Sequence, residues 1–349
     1  MKIAPLYRSF TAEQWALPLF IHTGQHYDCN MSESFLKDLG LPEPHVNLGV
    51  GSGTHAEQTG KVMVEFERLA IQEKPDLTIV VGDVNSTMAC SISASKLRLK
   101  VAHLEAGLRS FDRTMPEEIN RIVTDSLADI LWTPSADADR NLINEGVSTE
   151  KIKLVGNIMI DSLELLRNKI ECQNALELFG LEPKRFAVVT LHRPSNVDQK
   201  EKLEHICDLL MRTANKIRIV FPVHPRTRSN LEAFGLPPRL RENEHLLLTE
   251  PLSYLTFMNL VFNAKLIITD SGGIQEETTY LGIPCLTLRD NTERPVTVTL
   301  GTNRLCSLSN VESHVEQILR GNYPQGTVPD LWDGRTADRV TLHARSLLC

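Results

Sequence analysis

The sequence predicts an α/β protein built on parallel sheets, in two consecutive halves. Three observations carry this. Short runs rich in Val and Ile alternate with amphipathic stretches of helical period over most of the 349 residues. The runs are apolar throughout rather than alternating, which suits strands covered on both faces. The pattern also restarts after a less regular stretch near 170–185. A chain of this length exceeds one ordinary core, and two domains of roughly 150–200 residues are expected.

The elements follow in order. MKIAPLYRSF starts like a strand, but Pro5 has no ladder N–H and forbids a central one. Residues 17–24 read as a strand, 56–74 as a helix, 76–83 as a strand and 86–98 as a helix. VAHLEAG (101–107) reads as a strand and 116–130 as a helix. In the second half, 186–193, 217–225, 245–252, 266–272 and 284–289 read as strands, with helices such as 201–216 between them. Two Rossmann-like domains follow, bounded at 1–168 and 169–332. The last segment, 333–349, is a helix with no strand after it.

Composition narrows the function classes. Hydrophobic content of 42% and charged content of 23% are those of an ordinary soluble enzyme. No apolar run approaches the ~18 residues of a membrane span, and no apolar leader is legible. A formal charge of −7 argues against a broad nucleic-acid surface. Seven cysteines are scattered without C-x-x-C spacing, which suggests reduced thiols in a cytoplasm and no zinc site.

In open parallel sheets, ligands bind beyond the carboxyl ends of the strands. Five such ends are polar or Gly-rich: 82–87, 105–113, 191–196, 222–227 and 269–277. A cleft lined from both halves is the economical expectation. TDSGGIQEE puts Ser271, Gly272 and Gly273 at the start of a helix, a geometry suited to an anion. Glu276 and Glu277 are expected in its first turn. They would repel a close phosphate, so at least one should face something neutral such as ribose hydroxyls. His192-Arg193, His224 and Arg294 are candidate donors to a diphosphate. A structural histidine or a surface ion pair would leave the same trace. Asp83 and Glu105 each end a buried strand, where an unpaired charge is costly. With Glu117-Glu118 they suggest acid–base chemistry on a sugar.

The stretches TGQHYD, VGDVNST, HLEAGLRSFDRTMPEEINR, TLHRPSNVD, TDSGGIQEE and TLRDNTERPVTVTLGTN together resemble the non-hydrolysing UDP-N-acetylglucosamine 2-epimerases. The resemblance runs in order from about residue 2 to the C-terminal helix. It implies a GT-B-like α/β fold whose last helix, 333–349, returns to the first domain. It also implies reversible epimerisation at C2 of UDP-N-acetylglucosamine to UDP-N-acetylmannosamine, through elimination and re-addition of UDP. No cofactor or metal is implied; a homodimer in the cytoplasm is, acting in cell-envelope polysaccharide synthesis with no nucleic-acid or membrane partner. Asp83, Glu105 and Glu117 match the family's catalytic carboxylates, and His192 its cleft histidine. Arg193, Phe257, Ser271, Gly272, Gly273, Glu277 and Arg294 fall on the UDP-binding side, and Lys2 on the first motif. Gln25, His26 and His224 are candidates for a regulatory contact.

The family's opening strand and its G-T-R-P-E turn have no counterpart before Met1, so MKIAPLYRSF reads as the opening of the first helix. The expected consequence is an exposed strand edge and a loss of stability or activity. The alternatives are a 2-epimerase of a modified UDP-sugar such as UDP-diacetamido-glucuronate, a low-activity sugar-nucleotide-binding protein, a hydrolysing epimerase, and, less well matched, a GT-B glycosyltransferase.

Overall fold

The computed structural model describes residues 1–24 and 38–349. The chain divides into two compact units, Met1–Leu165 with Asp330–Cys349, and Leu166–Pro329.

The first unit opens on the helix Ile3–Thr11, which buries Ala4, Pro5, Leu6 and Phe10. Pro5 lies in the first turn, where a missing N–H breaks no helical bond. Strands β1 (Ile21–His22) and β2 (Val46–Asn47) pair in parallel. A second parallel sheet runs β3 (Thr78–Val81), β4 (Val101–Leu104), β5 (Ile130–Thr133) and β6 (Ile152–Leu154) in that order. Among the described residues β3 pairs only with β4 and β1 only with β2, so β3 is an edge.

Both faces of this sheet are covered, which is why its strands read as apolar runs. Val62, Phe66 and Ala70 of the helix His55–Glu73, with Ala89 and Ala94 of Asn85–Lys96, cover Val80, Val101 and Leu131. Leu6 and Phe10, with Val340 and Ala344 of the final helix Thr336–Leu348, cover Ala102, Leu104 and Trp132. The final helix is fixed at its start by Asp161, whose carboxylate accepts from the N–H groups of Thr336 and Ala337 at 3.1 and 2.7 Å. Farther along, Trp132 Nε1 donates to His343 Nδ1 at 3.0 Å.

Strand β5 corrects the expectation of a helix over 116–130. The helix ends at Leu127, Ala128 is extended at φ −68° and ψ 141°, and Asp129 N–H bonds to Val101 O. Ile130 therefore begins a strand beside β4.

The second unit holds six parallel strands: β7 (Phe186–Thr190), β8 (Arg218–Pro222), β9 (Leu246–Thr249), β10 (Leu266–Thr269), β11 (Cys285–Thr287) and β12 (Asn303–Leu305). Their order is β12-β11-β10-β7-β8-β9. The order reverses between β7 and β10, the crevice where open α/β sheets take their ligands. Thr190 is in register with Thr269, so 191–196 and 270–273 leave the sheet side by side. The core packs Leu203, Ile206 and Leu210 of the helix Lys200–Ala214 on Val189, Ile219 and Phe221. The less regular stretch near 170–185 holds the end of the helix Ile158–Glu171 and the short helix Ala175–Leu178.

Candidate active site

In the first unit Asp83 lies two residues beyond β3 and Glu105 directly follows β4. Glu105 has φ +76°, a left-handed backbone that ordinary side chains avoid, and is 3% exposed. One carboxylate oxygen pairs with Lys2 Nζ; the other, Oε1, is buried with no hydrogen-bond partner among the described residues. Gly82 makes this approach possible. Its φ is +74°, and a β-carbon there would lie 3.1 Å from Lys2 Nζ and 3.4 Å from Glu105 Oε2. Asp83 is half-buried and pairs with Arg121 Nη1 at 2.5 Å.

The helix Pro116–Leu127 explains the Glu117-Glu118 pair. Pro116 starts the helix, where its absent N–H is no loss. Glu118 is buried and accepts from the N–H groups of Ser110 and Phe111 at 3.0 and 2.8 Å and from Arg121 Nη2 at 2.6 Å. Burial alone would raise its carboxyl, but these donors hold it below the usual range. Glu118 is thus a clamp on the 107–115 loop. Glu117, one position earlier, is exposed.

In the second unit the carboxylate of Asp270, fully buried, organises the switch-point loops. It accepts from the backbone N–H groups of His192 and Arg193, at 3.1 and 2.9 Å, and from Asn196 Nδ2 at 3.1 Å. His192 Nδ1 lies 3.2 Å from the same carboxylate, and its ring lies 5.3 Å from that of His224. His224 Nδ1 caps the helix Pro225–Ala233 by accepting from Arg226 N–H. Partial burial, then the neighbouring His192, push the His224 imidazole down from its ordinary value.

Ser271, Gly272 and Gly273 open the helix Gly272–Leu281, and the Ser271 side chain makes no capping bond. A β-carbon at Gly272 would lie 2.5 Å from Glu293 Oε1 and 2.8 Å from Arg294 Nη1. The glycine therefore makes room for this ion pair at the helix start. Glu293 is buried among arginines: Arg294 Nη1 at 2.5 Å, Arg289 Nη2 at 2.7 Å and Arg193 Nη2 at 3.9 Å. Arg294 is buried, so a surface ion pair does not describe it; its Nε lies 2.8 Å from Glu276 Oε2.

Glu276 and Glu277 lie a turn deeper than the sequence suggests, because the helix begins at Gly272 and its first turn carries no acid. Glu277 is buried and accepts from the Tyr254 hydroxyl at 2.7 Å. Tyr254 and the half-buried Phe257 share the helix Tyr254–Asn263.

The family model described as UDP-N-acetylglucosamine 2-epimerase matches residues 9–343. The chain belongs to this family. It is 45% identical to the UDP-N-acetylglucosamine 2-epimerase of Methanocaldococcus jannaschii over 87% of this chain and 84% of that protein. It is 40% identical to the UDP-2,3-diacetamido-2,3-dideoxy-D-glucuronate 2-epimerase of Pseudomonas aeruginosa, over 87% and 84% of the two chains. Among solved structures, the M. jannaschii UDP-GlcNAc 2-epimerase in complex with UDP-GlcNAc and UDP aligns at a TM-score of 0.89 and 41% identity, covering 99% of this chain and 96% of that one.

Every candidate of this epimerase-family chain except Lys2 falls inside the matched span. Gln25 and His26 lie outside the described residues. Sequence reasoning missed Arg121, Asp270, Glu293 and Tyr254, the partners that hold the candidates in place. For Arg121, Asp270 and Tyr254 the signal is weak in one sequence, since they act on Asp83, His192 and Glu277 across 38, 78 and 23 residues of chain.

Proposed function

We propose that this chain reversibly interconverts UDP-N-acetylglucosamine and UDP-N-acetylmannosamine. The observation that carries the reading is Glu105: a strained, buried carboxylate beside Lys2, with one oxygen unpartnered. Strain of this kind persists where the surrounding structure over-determines it and clusters at functional sites. Membership in the epimerase family supplies the substrate class.

The chemistry divides between the two units. The C2 hydrogen of the sugar has no adjacent carbonyl, so a free carbanion is poorly stabilised. Elimination avoids it. A base takes the C2 proton, its electron pair forms the C1–C2 double bond, and the C1–O bond breaks with its electrons leaving on UDP. The products are 2-acetamidoglucal and UDP. Re-addition of UDP with a proton delivered to the other face of C2 gives the epimer. Two faces require more than one acid–base group, and Asp83, Glu105 and Glu117 are the candidates, each contributing ~10²–10⁴-fold.

Holding the charge of departing UDP falls to the second unit. The N–H groups that open the helix Gly272–Leu281, Arg193 and Arg294 suit the diphosphate, and Glu277 suits the ribose hydroxyls. Phe257 suits the uracil, and His192 and His224 the neighbourhood of the leaving oxygen. A homodimer in the cytoplasm belongs to the same reading; among the described residues no helix is long and apolar enough to cross a membrane. The UDP-diacetamido-glucuronate substrate is the second reading, favoured by the P. aeruginosa relative.

The test is incubation with UDP-N-acetylglucosamine in deuterated water, followed by NMR. The expected result is deuterium at C2 and appearance of UDP-N-acetylmannosamine, both abolished in Glu105→Gln. Release of free N-acetylmannosamine, or UDP binding with no exchange, overturns the reading. Exchange seen only with the diacetamido-glucuronate donor selects the second.

A further inference from the structure

We propose that His103 is a positioning residue: a buried imidazolium, protonated on both ring nitrogens, that fixes the Gly82 carbonyl and with it the turn presenting Asp83 beside Glu105. The assignment of those two carboxylates rests on the epimerase reading; the protonation of the ring does not.

His103 lies in β4 and is fully buried. Its Nε2 lies 2.9 Å from Gly82 O. A carbonyl oxygen only accepts, so this nitrogen carries a hydrogen. Its Nδ1 lies 2.6 Å from Asp125 Oδ1. That contact also needs one hydrogen, held either by the ring or by the carboxyl. The surroundings of Asp125 favour the ring. Its other oxygen already accepts from Gly107 N–H at 3.0 Å and lies 2.7 Å from Arg109 Nη1. The Arg109 guanidinium beside it favours the ionised form of the carboxyl. A carboxylate bound by these donors is an acceptor, and Nδ1 is the donor.

Arg109 is itself held by a two-pronged pair with Glu145, its Nε and Nη2 each 2.7 Å from a carboxylate oxygen. A cation fixed beside Asp125 favours the ionised carboxylate, and so the ring as holder of the shared hydrogen.

The link to the site is short. Gly82 N–H donates to Leu104 O at 3.1 Å, and Gly82 O accepts from His103, so both polar groups of the glycine are tied to β4. Asp83 O accepts from Asn120 Nδ2 at 2.9 Å, and the Asp83 carboxylate pairs with Arg121. The backbone is thereby pinned on both sides of Asp83. Lys2 and Glu105 press on Gly82 from its open side. Freeing the carbonyl would let the Gly82 peptide turn and misplace Asp83, while Glu105 keeps its own backbone bond to Trp132 O.

The experiment uses the full chain with ring-15N-labelled histidine at pH 7.5. The His103 signal is the one lost in His103→Gln, or is assigned through its contacts to Gly82 if that variant does not accumulate. The expected spectrum has a directly bonded proton on each ring nitrogen, and Asp125→Asn removes one of them. A bare nitrogen in the unsubstituted protein overturns the proposal. In the C2-exchange assay His103→Gln and Asp125→Asn should each lower kcat ~10- to 100-fold with KM changed less than about threefold, as expected of misplaced reacting groups. Unchanged kcat in either variant, or a fall confined to 1/KM, overturns the positioning role. An unsubstituted protein that fails to exchange C2 overturns the epimerase reading instead, and the ring spectrum still decides the protonation.

Discussion

Burial pushes the Glu277 carboxyl up to about 7; the Tyr254 hydroxyl draws it back down in part, and the neighbouring Glu276 adds to the rise. The sign for stability follows. Between about 4.5 and about 7 the folded chain keeps a proton that the unfolded chain has lost, so stability falls as pH rises through that window. Above it the deficit is on the order of 3 kcal/mol. Glu277→Gln removes the charge and keeps an acceptor for Tyr254. The expected outcome is a variant that melts roughly 5–10 °C higher than the parent at pH 8 without ligand. The difference should shrink toward zero near pH 5, followed by calorimetry at both pH values. An equal gap at the two would mean that packing, not charge, sets the change. The sequence suggested ribose hydroxyls as the neutral neighbour and gave no sign of Tyr254, which lies 23 residues away on another helix.

The helix Pro116–Leu127 is built against the usual pattern. Glu118, Asn120, Arg121, Thr124 and Asp125 are buried while Ile119 is 49% exposed. An amphipathic reading finds the helix but assigns the wrong face to the core. Glu118, Arg121 and Asp125, three and then four residues apart, lie on one face of the helix. What each contacts is not legible in one sequence: Glu118 closes on Ser110 and Phe111, and Asp125 on His103, in other parts of the chain. Likewise β5 was hidden behind the helical run, since Ile130–Thr133 is only four residues long. Glu117 and Glu118 separate cleanly in a test. Glu118→Ala leaves Arg121 without its inner partner and should cost about 3–5 kcal/mol in urea unfolding, the range for breaking a buried pair. Glu117→Gln should leave the midpoint within ~0.5 kcal/mol, as for an exposed site, while slowing C2 exchange. Equal destabilisation by the two would reject the clamp.

At the scale of the molecule, two units with separate cores follow from the restart of the strand–helix pattern, and this was the most legible feature of the sequence. The strand ends were legible too, because Gly-rich and charged clusters stand out after apolar runs. The detailed constellation of the second unit was not, since Asp270 and Glu293 each reach the loop after another strand, Asp270 binding His192 and Asn196 and Glu293 meeting Arg193. That division of labour has a measurable consequence. If the second unit alone holds the UDP moiety, uridine diphosphate at about 100 times its dissociation constant adds about 2.7 kcal/mol to the state that binds it. Local openings of the contacting loops are suppressed first, because they sit at the low end of the stability range. Hydrogen exchange should therefore slow most in peptides covering 191–196, 270–277 and 289–294, with little change in those covering 116–127. The reverse pattern, protection of the 116–127 helix with the three loops unchanged, would move the nucleotide to the carboxylate-bearing unit. Glu105 and Asp83 would then have to face a diphosphate, with Lys2 and Arg121 already paired to them. The second unit also has paired arginines, but it adds the N–H groups that open the helix Gly272–Leu281, and these are the physical reason to expect the first pattern.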